Sequence, residues 1–121
     1  MSGAPSVPQP QRGEVWLVRF TPQAGAEIAK TRPAVVVSVN EIGRLPLRIV
    51  VPITEWSPQY DKFPWMVRLD ANARNGLTKK STADAFQVKS VSLSRFDCRI
   101  GRLDATDLDE IVQAVALSIG T

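Results

Sequence analysis

The segment Thr31-Arg32-Pro33-Ala34-Val35-Val36-Val37-Ser38 limits what this chain can fold into more than any other. Its β-branched run, Val35-Val36-Val37, follows a turn-like stretch and reads as a buried strand. Pro33 suits that strand's first residue, because it has no N–H to give the ladder. It also biases Arg32 toward an extended backbone. A strand from Pro33 to about Val39 then begins with a guanidinium at its mouth. The polar loop before it carries Glu27, Lys30 and Arg32. Either Arg32 faces an anion there, or the junction is a plain loop-to-strand join with a solvated arginine.

A chain of 121 residues with 44% hydrophobic content suits one domain with a real core. Fifteen Lys and Arg stand against twelve acids, a net charge of +3 that permits an anionic partner without demanding one. There is no histidine, which removes imidazole catalysis and histidine metal ligation. The single cysteine, Cys98, excludes an internal disulfide and a cysteine-based zinc site. With no histidine to activate it, Cys98 reads as structural. No apolar run approaches the roughly 18 to 20 residues of a membrane span, and no charged-then-apolar leader opens the chain. The expectation is a cytoplasmic protein with no cofactor.

Residues 1–11, with three prolines and few core formers, read as a disordered tail, and residues 12–121 as one domain. Strands are expected at 15–20, 33–39, 47–53, 65–69, 82–88 and 99–103. The loops up to Arg32 and from Glu55 to Pro64 are long, and long ordered loops are often functional. Ser90 to Phe96 reads as a short helix or turn. At the end, Thr106 can cap a helix with Asp109 and Glu110 in its first turn. Leu108, Ile111, Val112, Val115, Ala116 and Ile119 form one apolar helical face, and Gly120 is a natural stop. Short strands followed by one packing helix argue for a mainly β fold with α additions, a small antiparallel barrel or sandwich.

Thr54 ends one core strand as Arg32 precedes another. If those strands are neighbours, guanidinium and hydroxyl converge into a phosphate receptor; otherwise Thr54 merely caps a turn. The 55–64 loop interleaves Trp56, Tyr60 and Phe63 with Lys62. Rings and cations together suit single-stranded RNA, and they equally suit a small hydrophobic cluster or a protein contact. Lys79-Lys80 is either a backbone-binding pair or a solvated face. Glu27 is the best placed carboxylate to act as a base, unless it pairs with Lys30 or Arg32.

Three stretches together resemble the MazF/PemK/Kid toxins, the endoribonucleases of type II toxin–antitoxin modules. They are Arg12-Gly-Glu-Val-Trp-Leu-Val18, Gly25 through Ser38, and Val50-Val-Pro-Ile-Thr54. Gln87-Val-Lys-Ser90 and Gly101-Arg-Leu103 continue the likeness, which covers about residues 12–120. It implies an SH3-like small barrel with a C-terminal helix, working as a homodimer. It implies sequence-specific, metal-independent cleavage of single-stranded RNA, usually mRNA, and a cognate antitoxin whose tail covers the RNA groove. The 2′-hydroxyl would attack the neighbouring phosphate, leaving a 2′,3′-cyclic phosphate and a 5′-hydroxyl.

The family's catalytic arginine and threonine fall on Arg32 and Thr54. Glu27 is the candidate base, because an arginine normally stays protonated. Lys30, Trp56, Tyr60, Lys62, Lys79, Lys80, Asp84 and Gln87 are the expected RNA contacts. The chain departs from relatives that carry a histidine or serine where Ala26 stands, or a carboxylate where Phe86 stands. A strand there would put Asp84 on the same face as Phe86, where it either substitutes or is structural. Two other readings share the fold: a non-catalytic module that binds RNA or an antitoxin, and a CcdB-like gyrase inhibitor.

Overall fold

The computed structural model describes residues 7–20 and 30–121. Seven strands, β1 (Glu14–Phe20), β2 (Lys30–Val36), β3 (Leu47–Glu55), β4 (Met66–Leu69), β5 (Ser81–Asp84), β6 (Lys89–Ser92) and β7 (Phe96–Arg102), precede one α-helix, α1 (Ala105–Ser118). The sheet runs β4-β5-β3-β2-β1-β7, with β6 paired to β3 and every pairing antiparallel. The mainly β expectation with a C-terminal helix is met. Among the described residues the strand path keeps two ends, β4 and β7, so the sheet is not the closed barrel expected.

Side chains alternate across β2 and β3, and each face feeds its own core. Val35, Val51 and Ile53 join the larger core, which α1 covers with Ile111 and Ala114. Ala34, Val36 and Val50 join a smaller one with Val18, Val91, Leu93 and Phe96. That double burial is why the run reads as an unbroken apolar stretch rather than an alternating one.

Two prolines sit inside strands. Pro33 is not the first residue of β2; it pairs with Leu17 in mid-strand, and the β2–β3 pairing begins only at Ala34. Pro52 lies where β3 changes partner on its other flank, from β6 (through Val50) to β5 (from Ile53). A residue without an N–H leaves no donor orphaned at such a changeover.

Other boundaries moved for physical reasons. Ser90–Phe96 holds β6 and a 3₁₀ turn at Leu93–Arg95, because Lys89–Ser92 pairs in register with Leu47–Val50. The fifth strand stops at Asp84, whose side chain accepts the Phe86 N–H and turns Ala85–Gln87 into a 3₁₀ helix. α1 is capped by Asp104 rather than Thr106, the carboxylate accepting the Asp107 N–H at 2.8 Å. Such a cap contributes about 1 kcal/mol. Ala114 is buried although the expected face omitted it, and Ile119 lies exposed just past the last turn.

The Arg-Gly-Glu-Val-Trp start has a visible cause. Glu14 is buried, and its carboxylate accepts from the Gln11 N–H and Trp16 Nε1, both at 2.9 Å. Arg99 and Arg102 complete the cluster at 3.2 and 3.5 Å. Arg48 is likewise buried within β3 and donates to the carbonyls of Pro10, Leu45 and Leu47 and to Gln9 Oε1. Gln9 and Pro10 therefore belong to the packed domain rather than to a loose tail; residues 1–6 lie outside the described residues. Cys98, read as structural, is exposed on β7.

Asp107 sits in the first turn of α1. Partial burial, then the neighbouring Asp104, Glu110 and Asp70 carboxylates, raise its pKa above the ordinary 3.8. A carboxyl raised in the folded state binds its proton more readily there than in the unfolded chain. Its charge therefore opposes folding increasingly as pH rises past 3.8, and ceases to do so below that value. Asp107→Asn is expected to raise the melting temperature slightly at pH 7 and to lose that gain in acid. A scan at both pH values checks it; an equal shift at each would assign the effect to helix propensity.

Candidate active site

Register alone brings the two central residues together. Ala34 pairs with Pro52 at the last rung of β2–β3. Two residues further out, the same register sets Arg32 opposite Thr54, on the face of the smaller core. There an Arg32 terminal nitrogen donates to Thr54 Oγ1 at 3.4 Å. Thr54 lies inside β3, one residue before its end, so its position is set by the sheet rather than by a turn.

Arg32 and Thr54 form part of the wall of two hollows. One is a polar cleft of about 450 Å³, lined also by Phe20, Pro52, Tyr60, Met66, Asp84, Gln87 and Lys89. The other, of similar size, has an apolar wall of Leu17, Pro33, Ile53, Leu77 and Ile100, with Lys79 at its edge. In the cleft, Asp84 is only 8% exposed, and Gln87 Nε2 donates to its Oδ2 at 2.7 Å. Its other oxygen is taken by the Phe86 N–H at 3.1 Å. Asp84 thus orients Gln87 at the cleft while fixing the backbone beneath Phe86.

The expected site residues divide accordingly. Arg32, Thr54, Tyr60, Asp84 and Gln87 converge on the cleft. Tyr60 arrives on a 3₁₀ helix, Pro58–Lys62, that the sequence suggested only as loop. Lys79 faces the second hollow and pairs with Glu55 at 3.1 Å. Trp56 does not line the cleft, and Lys80 Nζ lies 4.6 Å from its ring centre, covering one face. Lys30 opens β2 and is exposed, and Lys62 is exposed at the end of its 3₁₀ turn. Glu27 and Ala26 lie outside the described residues. Phe86 and Asp84 do not share a face as a strand would require, because the 3₁₀ turn intervenes; Asp84 is buried and Phe86 exposed.

Four lining residues are not among the expected contacts: Phe20, Pro52, Met66 and Lys89. Lys89 was the most legible. It stands two residues after Gln87, and its Nζ sits 5.3 Å from the centre of the Phe20 ring. Among the described residues no cluster of three or more His, Cys, Asp or Glu could hold a metal. None of their helices is long and apolar enough to cross a membrane.

An arginine, a hydroxyl, an amide and a lysine around a polar cleft are suited to binding a phosphate diester and stabilising added charge on it. Endoribonuclease MazF9 of Mycobacterium tuberculosis is 34% identical over 115 residues, covering 90% of this chain and 95% of its own. Endoribonuclease EndoA of Bacillus subtilis is 31% identical, covering 90% and 93%. The crystal structure of MazE–MazF (form II) from Deinococcus radiodurans superposes with a TM-score of 0.75 at 27% identity, over 93% of this chain and 97% of that one. The profile of the PemK-like, MazF-like toxins of type II toxin–antitoxin systems matches residues 11–119, and the chain belongs to that family.

Proposed function

We propose that the chain is an endoribonuclease toxin that cleaves single-stranded RNA at a short sequence without a metal ion. The observation that carries this reading is the Arg32–Thr54 pair in the polar cleft, in a chain of this family. In the proposed reaction the 2′-oxygen attacks the adjacent phosphorus and the bond from phosphorus to the 5′-oxygen breaks. The 2′-hydroxyl proton passes to a base, for which Glu27 is the candidate, and the 5′-oxygen leaves as a hydroxyl by taking a proton from the Arg32 guanidinium, which water then reprotonates. The products are a 2′,3′-cyclic phosphate and a 5′-hydroxyl. Arg32 offsets the charge that builds on the phosphorane, as a preorganised cation does. Thr54 holds a phosphate oxygen through its hydroxyl, and Gln87, set by Asp84, reaches the strand from the facing wall. The chain would act as a homodimer and be held inactive by an antitoxin protein. Support for the latter is the structural likeness to a MazF crystallised with MazE.

The test is to incubate the pure protein with a long single-stranded RNA in EDTA and map new 5′ ends. Cleavage at one short motif is expected; intact RNA would overturn the reading. Exposed Phe86, standing where some relatives carry a carboxylate, favours a second reading, a module that binds RNA without cutting it. That reading predicts RNA affinity with no new ends.

Charge in the cleft makes a further prediction. Single-stranded RNA binding should weaken steeply with salt, and Lys89→Ala should flatten the log–log slope by roughly 0.7, one phosphate contact. Titrations between low and physiological salt check it, and an unchanged slope would remove Lys89 from the RNA path.

A further inference from the structure

The cleavage chemistry leaves one exposed feature beside Asp84 and Gln87 in sequence unused. Phe63 stacks on Trp65, with ring centres 5.0 Å apart and planes 15° from parallel. Phe86 meets Trp65 edge to face at 5.5 Å and 62°. Trp65 packs against the larger core, yet Phe86 is 62% exposed. The ring stands on fixed backbone, since its N–H is held by Asp84, the same carboxylate that holds Gln87. Asp84 and Gln87 flank it in sequence, and both line the cleft. At the other end of the stack, the Phe63 N–H donates to the carbonyl of Tyr60 at 3.0 Å, and Tyr60 is a further lining residue. Phe86 therefore stands in sequence between two lining residues, although none of the three rings is itself part of the cleft wall.

We propose that Phe86, backed by Trp65, is a stacking platform for an unpaired nucleobase next to the phosphate held at Arg32 and Thr54. This rests on the RNA reading above. Stacking needs an aromatic face that is open to solvent and rigidly mounted, and both conditions are met. The Asp84 oxygens are already engaged by the Phe86 N–H and by Gln87 Nε2, so the platform acts through stacking. Every base has a π-face, so the platform tolerates sequence, with purines favoured for their larger area.

The experiment measures binding of the full chain to fluorescent 2′-O-methyl oligonucleotides, which lack the attacking hydroxyl. Phe86→Ala and Phe86→Leu should bind about five-fold or more weakly, and Phe86→Trp should retain wild-type affinity. Leucine keeps apolar area without a π-face, so a leucine variant that binds like wild type overturns the proposal. An abasic site walked along the oligonucleotide should weaken wild type at one position where Phe86→Ala is indifferent. Equal losses in both proteins also overturn it. Wild type that neither binds nor cuts RNA would instead remove the function itself. Wild type that binds and cuts, with Phe86→Ala indistinguishable from it, would remove only the platform. If Phe86→Ala shifts the oligomeric state at unchanged RNA affinity, the ring is a protein contact and the proposal fails.

Discussion

Arg32→Ala is expected to lower RNA cleavage by about a hundred- to a thousand-fold, the usual effect of losing one preorganised donor to a developing anion. Its stability should stay within about 0.5 kcal/mol of wild type, because the side chain reaches into the cleft and supports no core. Arg32→Lys should recover only part of the activity. A lysine keeps the charge but loses the planar fork that can hold a phosphate and Thr54 Oγ1 together. Thr54→Val, nearly isosteric, should cost less than the arginine and act on turnover more than on RNA affinity. Single-turnover rates on one oligoribonucleotide, beside melting curves for each variant, separate these effects. If Arg32→Ala cleaves like wild type, the guanidinium is only a solvated neighbour of β3.

The largest stability effect should come from two glycines far apart in sequence. The turn that ends at Gly76 lies directly on β7. Gly76 adopts φ 73°, and a Cβ there would fall 2.7 Å from the Ile100 carbonyl carbon. A Cβ on Gly101 would fall 2.5 Å from the Arg74 carbonyl oxygen. The two backbones are also joined by the Arg102 N–H donating to the Arg74 carbonyl at 2.9 Å. Neither contact is with a flexible side-chain end, so the strand or the turn must move. Gly76→Ala is expected to destabilise by about 3 kcal/mol or more, combining steric displacement with left-handed strain. Gly101→Ala should do the same through the clash alone. The double variant should cost less than the sum, because once the turn has lifted off β7 the second methyl meets an open gap. Urea denaturation of the three variants checks this, and strict additivity would contradict it.

How much of this was legible depended on range. Val35, Val36 and the α1 pattern at Leu108, Ile111 and Val115 announced themselves, because periodicity reports burial directly. Arg32 and Thr54 could be paired in advance only conditionally, since nothing local states that β2 and β3 are neighbours. Once they are, antiparallel register makes the meeting unavoidable. Pro33 misled because a proline's usual place is a strand's edge or start; the sheet accepts it inside β2 where the β3 pairing has not yet begun. β6 was missed because Lys89-Ser90-Val91-Ser92 carries one apolar residue and takes its strand character from Leu47–Val50. Asp84 defeated a period-two argument by ending its own strand, accepting the Phe86 N–H. The packing of the Gly76 turn on β7 had no local signal, because Gly76 is required by the backbone of Ile100 and Gly101 by that of Arg74 and Asn75.

The central claim is that a 2′-hydroxyl attacks a phosphate held by Arg32 and Thr54. It is tested most directly by mass spectrometry of the fragments from a single oligoribonucleotide cut in EDTA. A matched substrate should carry one 2′-deoxy substitution immediately upstream of the cut. The account predicts a 5′-hydroxyl on one fragment, a 2′,3′-cyclic phosphate on the other, and no cutting of the 2′-deoxy substrate. A 5′-phosphate product, or equal cutting of the 2′-deoxy substrate, would contradict it.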